Sequence, residues 1–248
     1  MPQVEVCCYS IGDCQTAQAC GADRVELCGG RYEGGTTPSA GLIKLARQCL
    51  TLDLYVMIRP REGDFLYSTD EFEVMKNDIR LAKSFDADGL VLGILQADGT
   101  VDAERMARLF DLAYPLPITF HRAFDVTADP MEALETIIEA GCVRILTSGQ
   151  QSRAIGGKGL ITKLVQQANN RIEIMAGSGV NAQNARELIH TGVNALHLTG
   201  KSTRDSLMQF RNPNLSMGGM AGIPEYELAF ADAAKIREVV TLAKTLDA

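Results

Sequence analysis

Glu26, Arg59, His121, Arg122 and Asp125 are residues whose types and setting could carry acid–base or anion chemistry. Each stands in or just after a short apolar run: Glu26 in RVELC, Arg59 after YVMI, and His121-Arg122 after ITF with Asp125 close behind. Glu26 or His121 could serve as the acid–base group while Arg59 and Arg122 hold an anion. Two glycine loops, Gly177-Ser178-Gly179 and Thr199-Gly200-Lys201-Ser202, have the composition of a site where backbone N–H groups approach a phosphate or other anion. The second loop lacks the upstream glycine of a P-loop. A divalent metal held by Glu26, His121 and His197 is a further arrangement, without the support of His-Glu-x-x-His or a comparable ligand spacing. The competing reading is structural: Arg59 and Arg122 neutralise buried Glu5 and Glu26 and carry no function.

The elements that must position these residues alternate in type. Short apolar runs occupy residues 4–8, 24–28, 54–58, 89–92, 117–121, 144–147, 172–176 and 195–198. Between them lie helical stretches with recognisable starts. Thr37-Pro38 opens a helix burying Leu42, Leu45, Ala46 and Cys49; Ser68 and Glu71 form a capping box; Asp102 and Asp129-Pro130 open two more. A last helix is expected over 224–246, with Leu228, Ile236, Val239, Ala243 and Leu246 inward. Eight strand–helix pairs in 248 residues is the rhythm of a single-domain (β/α)₈ TIM barrel spanning 1–248, closed by a C-terminal helix. A doubly wound sheet would use fewer strands, and Gly-x-Gly-x-x-Gly is absent after the first one. Residues 199–223 show no apolar periodicity and carry Met208, Met217 and Met220, a long segment expected beside the barrel mouth.

Parity then sorts the strands. The apolar sets Val4, Val6, Cys8 and Val25, Leu27 suit the strand–helix interface, which leaves Glu5, Cys7, Glu26 and Cys28 pointing into the lumen. Thr119 shares a face with His121, and His197 opposes Leu196 and Leu198. Active sites of such barrels lie at the C-terminal ends of the strands, so Arg59, His121 and Arg122 are expected to converge with Glu26 there.

Composition narrows the partners. Formal net charge is −7 with 24 basic and 31 acidic residues, and no basic run offers a nucleic acid or an anionic membrane a surface. No apolar run approaches the length of a membrane span. Seven cysteines, an odd number, with no secretory pattern after Met1-Pro2-Gln3, read as reduced thiols of a cytoplasmic protein.

Several stretches resemble one known family. They are GADRVELC at Gly21, EGGTTPS at Glu33, MIRPREGDFLYS at Met57, ITFHRAFD at Ile118, RILTSGQ at Arg144 and STRDSLMQFRNPNLSMG at Ser202. All are similar to the CutC copper-homeostasis family, with one departure at Arg61-Glu62-Gly63, where the family often has Arg-Gly-Gly. The resemblance implies a cytosolic (β/α)₈ barrel that forms homo-oligomers and a role in copper handling, without implying a reaction. It also implies Cu(I) ligands at Cys7 in EVCC and Cys28 in VELC. That assignment is chemically coherent, because Cu(I) prefers soft thiolates and parity puts both sulfurs in the lumen, where two thiolates could hold the ion nearly linearly. Beside it stands the alternative built from the polar ring: a hydrolase or lyase acting on a small anionic or phosphorylated substrate.

Overall fold

The structure, a computed structural model, describes residues 1–215 and 224–245. Eight parallel strands close a barrel in chain order: β1 (Gln3–Cys8), β2 (Arg24–Leu27), β3 (Asp53–Met57), β4 (Gly89–Leu92), β5 (Ile118–Phe120), β6 (Arg144–Thr147), β7 (Glu173–Ala176) and β8 (Ala195–Leu198). Around it run α1 (Ile11–Ala19), α2 (Ala40–Cys49), α3 (Thr69–Ser84), α4 (Ala103–Ala113), α5 (Pro130–Glu139), α6 (Lys158–Ala168), α7 (Ala185–Ile189) and α8 (Ala233–Thr245). The expected (β/α)₈ architecture is present. The strands are short and apolar because helices cover one face while the lumen encloses the other.

Caps fix where helices begin. Ser68 and Glu71 complete a reciprocal capping box on α3, while Asp102 and Asp129 cap α4 and α5. One start differs from expectation: α2 begins at Ala40 behind the Ser39 cap, not at Thr37-Pro38. The helix accordingly buries Ile43 and Ala46 and leaves Leu45 exposed. A Ser hydroxyl facing the Leu42 amide ends the chain's extended approach later than the proline suggested. The C-terminal helix also starts later, at Ala233. The preceding stretch folds as an antiparallel hairpin of β9 (Lys201–Asp205) with β10 (Glu227–Ala231), in which Leu228 is an exposed strand residue. Buried Asp13 docks this hairpin on the barrel: its carboxylate accepts the Ala231 and Tyr9 amides and pairs with Arg31. The expectations for Met217, Met220 and Leu246 fall outside the described residues.

Parity sorts side chains as the sequence indicates. Val4, Val6, Cys8, Val25 and Leu27 belong to the large core between barrel and helices. Cys7 and Cys28 pack instead with Tyr55, Met57 and Val91 inside the lumen. The lower lumen is filled by the Tyr55 ring, with the guanidinium carbons of Arg24 and Arg144 at 4.8 and 5.7 Å from its centroid. Gly89 makes room for that ring, since a Cβ there would lie 2.4 Å from Tyr55 Cε1. Gly89→Ala therefore destabilises the chain by about 1–3 kcal/mol through overpacking, because two arginines keep the ring from moving. Urea unfolding midpoints of the variant and the parent check this.

Candidate functional site

β1, β2 and β8 bring three lumen-facing donors together. Closure of the barrel sets β8 beside β1, with Glu5 in register with His197, while Cys7 is in register with Glu26 on β2. The ligand atoms of Cys7, Glu26 and His197 lie within 4.8 Å of one another, and all three residues are buried. His197 Nε2 is 3.7 Å from Glu26 Oε2. Cys28, just past the end of β2, puts its sulfur 3.7 Å from that of Cys7 and 3.4 Å from Glu26 Oε2. Gly35 presses on Cys28 from the loop side, where a Cβ would sit 3.3 Å from its sulfur.

A chain of buried groups orients this cluster from beneath. Arg24 Nε donates to Glu5 Oε2 at 2.5 Å, and Glu5 Oε1 lies 2.7 Å from His197 Nδ1. That fixes the imidazole ring with Nε2 toward Glu26 and Cys7. Burial works to raise the Glu5 carboxyl, but the His197 hydrogen bond and the Arg24 charge outweigh it and hold Glu5 at about 2. Burial likewise opposes charge on His197, yet Glu26, Cys7 and Glu5 push its pKa well above the usual histidine value. The hydrogen bond with Cys28, against burial and aided by His197, draws Cys7 well below an ordinary thiol. Burial, reinforced by Cys7, raises both Cys28 and Glu26. The pocket therefore stabilises one positive charge between sulfur and carboxylate oxygen.

Above the cluster opens a cavity of about 450 Å³ at the C-terminal mouth. Cys7, Glu26, Arg59, His121, Arg122, Asp125, Gly179 and His197 all line it. Glu26, Arg59, His121 and Arg122 thus share one cavity, as parity requires. Their individual partners differ from expectation. Arg59 does not neutralise Glu26 or Glu5; its guanidinium donates to the backbone carbonyls of Glu33, Gly35 and Gly63. Arg122 pairs with Asp125 and donates to Ser148. The arginine that neutralises Glu5 is Arg24, which parity alone could have flagged, since it shares the Glu26 face of β2. Asp125 accepts from Thr147, Ser148 and the Gln150 amide as well as Arg122, so it clamps the loop after β6 and has no free lone pair for acid–base work.

The glycine loops divide. Ser178, Gly179 and Val180 line the cavity. Gly177 sits beneath them as a packing residue, where a Cβ would meet Leu146 at 2.5 Å and His197 at 3.3 Å. Gly200, at φ +54°, turns the chain from β8 into β9, and a Cβ there would meet Ile236 at 2.7 Å. Lys201 and Ser202 of that loop are strand residues of the hairpin.

His121 is apart from the cluster of Cys7, Glu26 and His197. It caps the 3₁₀ turn Arg122–Val126, with Nδ1 accepting the Ala123 amide. Burial first, and then the Arg59 charge, lower its pKa to about 3. The folded chain thus keeps His121 neutral while the unfolded chain binds a proton below about pH 6.5, so its contribution to stability is lost as the pH drops below that value. His121→Asn, which keeps an acceptor for Ala123, removes only this titration. The stability advantage of the parent over His121→Asn should shrink by about 2–3 kcal/mol between roughly pH 6.5 and 4.5. Urea titrations of both chains across that range measure it, and groups common to both cancel in the difference.

Among known proteins, a sequence profile of the CutC family matches residues 2–202. A human protein named copper homeostasis protein cutC homolog is 47% identical over 244 residues, covering 98% of this chain and 89% of its own length. A CutC family protein of Bacteroides thetaiotaomicron is 48% identical over 245 residues, 98% of both chains. The solved structure of the CutC copper homeostasis protein from Streptococcus agalactiae superposes with a TM-score of 0.77 at 39% identity, over 80% of this chain and 99% of that one. A thiamine phosphate pyrophosphorylase from Pyrococcus furiosus, at TM-score 0.60 and 14% identity over 98% of this chain and 95% of its own, shares the fold alone. With its barrel, its lumen-facing cysteines and this match over most of its length, the chain belongs to the CutC family.

Proposed function

We propose that this chain is a cytoplasmic copper-homeostasis protein that binds Cu(I) through Cys7 and Cys28, with His197 as a third donor. The observation that carries the reading is the buried convergence of Cys7, Glu26 and His197 within 4.8 Å, with the Cys28 sulfur 3.7 Å from that of Cys7. Two soft sulfurs and one imidazole are a donor set for Cu(I), where an all-oxygen set would suit harder ions. The pocket also fits by charge, since a monovalent cation can replace the proton that the cluster holds on His197. Glu26 Oε1 is buried without a hydrogen-bond partner, a further acceptor facing the same space. A linear two-sulfur arrangement would need the sulfurs about 4.6 Å apart at metal–sulfur bonds of ~2.3 Å. The observed spacing is shorter and favours a bent set completed by His197.

Each part of the chain has a defined task in this reading. Cys7 faces the cavity and meets the ion first, while fully buried Cys28 supplies the second sulfur from behind. Glu5, held by Arg24, orients the His197 ring, the carboxylate–histidine arrangement common beneath metal ligands. The free cysteines support a reducing compartment. Among the described residues no helix is long and apolar enough to cross a membrane. Self-association is supported by the segment after β9, where Leu207, Met208, Phe210 and Leu215 stand exposed, apolar side chains that a second copy would cover. A competition titration of reduced protein against a Cu(I) chelator tests the central step. One Cu(I) per chain should be retained tightly; retention only at the level of a mixture of surface thiols, with no defined stoichiometry, would overturn it.

A further inference from the structure

The cavity holds two buried donors, on Arg59 and His121, whose hydrogen-bonding capacity is unmet. Of the five buried side-chain polar atoms without a partner among the described residues, three belong to residues lining this cavity: Glu26 Oε1, Arg59 Nε and His121 Nε2. Arg59 is 6% exposed and makes no ion pair among the described residues; its two terminal guanidinium nitrogens donate to neutral backbone carbonyls, and its one further side-chain neighbour of this kind is the neutral Tyr67 hydroxyl. A buried guanidinium without a counter-ion is costly, and its charge calls for an anion. His121 is 3% exposed, and its Nδ1 is committed as the acceptor of the Ala123 amide. In a neutral imidazole the other nitrogen then carries the proton, so His121 Nε2 is a donor lacking an acceptor. Phe65 bridges the two, with its ring centroid 4.9 Å from the His121 ring and 4.9 Å from the Arg59 guanidinium carbon. Arg122, whose side chain is 43% exposed, lies at the rim of the same cavity paired with Asp125, so the unpaired positive charge there is that of Arg59.

We propose that the barrel mouth is a binding site for a small organic oxyanion, whose oxygens take Arg59 Nε–H and His121 Nε2–H while its carbon body lies against Met57, Leu146 and Val126. The site shares the cavity with the sulfur cluster but uses other donors, so it does not depend on the copper reading. Its volume of about 450 Å³ is that of a small-molecule pocket and far exceeds what an ion needs. Both donors are covered in the ligand-free chain, and the Phe65 side chain turns aside to admit the ligand oxygen, a rotamer change and not a refolding step. The neutral histidine matters for the chemistry of recognition. It donates one hydrogen bond without adding charge, so the ligand is read as an anion by Arg59 and as a correctly placed oxygen by His121.

The test uses metal-free full-length protein and imidazole-detected ¹H–¹⁵N spectra, titrated with malonate, glycerol 3-phosphate and inorganic phosphate, with chloride as control. His121 should appear as the Nε2–H tautomer. Its Nε2 resonance should shift saturably with at least one of the three oxyanions, at a dissociation constant of about 1 mM or tighter. Response to malonate alone assigns a carboxylate, and response to either phosphate probe assigns a phosphoryl group. His121→Asn should weaken that binding tenfold or more, measured by calorimetry. Phe65→Ala, which uncovers both donors, should bind more tightly than the parent. The proposal is overturned if no probe gives a saturable His121 shift in either the parent or Phe65→Ala. It is equally overturned if chloride gives the same response, or if His121→Asn binds as well as the parent.

Discussion

Cys7→Ser lowers the affinity for Cu(I) by two orders of magnitude or more, about 2.7 kcal/mol at the least. Serine keeps the shape of the side chain and replaces a soft thiolate by a hard hydroxyl, so the donor is lost while the packing is retained. Cys7 is the sulfur that lines the cavity and the one whose thiolate its neighbours stabilise: the hydrogen bond with Cys28 and the imidazole of His197 both favour it. Cys28→Ser removes the second sulfur and should weaken binding comparably, because Cys7 then remains as a single soft donor beside His197 and Glu26. The fold survives both changes, since neither cysteine belongs to the large core between barrel and helices. The readout is a chelator competition on the two single variants and the double. Equal retention of copper by parent and double variant would mean that neither sulfur holds the ion.

Arg24→Met is expected to destabilise the chain by about 3–5 kcal/mol, the largest stability effect of any single change at the site. Arg24 and Glu5 are both buried and joined at 2.5 Å, so losing the guanidinium strands a carboxylate in the lumen with only His197 beside it. Replacing both partners by apolar residues of similar volume, Glu5→Leu with Arg24→Met, should recover most of that loss, because desolvation then falls on neither charge. The double variant still loses the orienting carboxylate under His197. Copper affinity should therefore remain reduced by about 10–100-fold after stability has returned. Thermal unfolding and copper competition on the same three proteins separate the two effects. Low stability in the double variant would mean that the pair is needed for folding; full copper affinity would mean that Glu5 does not orient the ligand.

How much of the barrel and its site is legible in the residues alone depends on the length scale involved. Period-two alternation is enough to put Glu5, Cys7, Glu26 and Cys28 in the lumen, because a strand alternates whatever surrounds it. Helix starts with two reciprocal signals, such as Ser68 with Glu71, are placed correctly. The cap-and-proline start at Asp129-Pro130 is also placed correctly, but at Thr37-Pro38 the nearby Ser39 competes as the cap, and α2 begins at Ala40. Long-range pairing is the part that local patterns do not carry. That Glu5 is served by Arg24, and not by Arg59, follows from the register of β1 against β2 and from a loop conformation that turns Arg59 toward three carbonyls. The partnership of His197 with Cys7 follows from barrel closure, which sets the last strand beside the first. A signal for it existed, since His197 opposes Leu196 and Leu198 and a closed barrel makes β8 a neighbour of β1. The hairpin at β9 and β10 left little trace, because the exposed residues 201–205 carry no apolar alternation.

X-ray absorption at the copper edge, on reduced protein loaded with one equivalent of Cu(I), reads the donor set itself. A sulfur-dominated shell from Cys7 and Cys28 with one nitrogen donor is expected, and His197→Ala should remove the nitrogen while the sulfurs stay. A shell of nitrogen and oxygen donors only, or a sulfur shell unchanged in the Cys7→Ser, Cys28→Ser double variant, would contradict copper binding at this cluster.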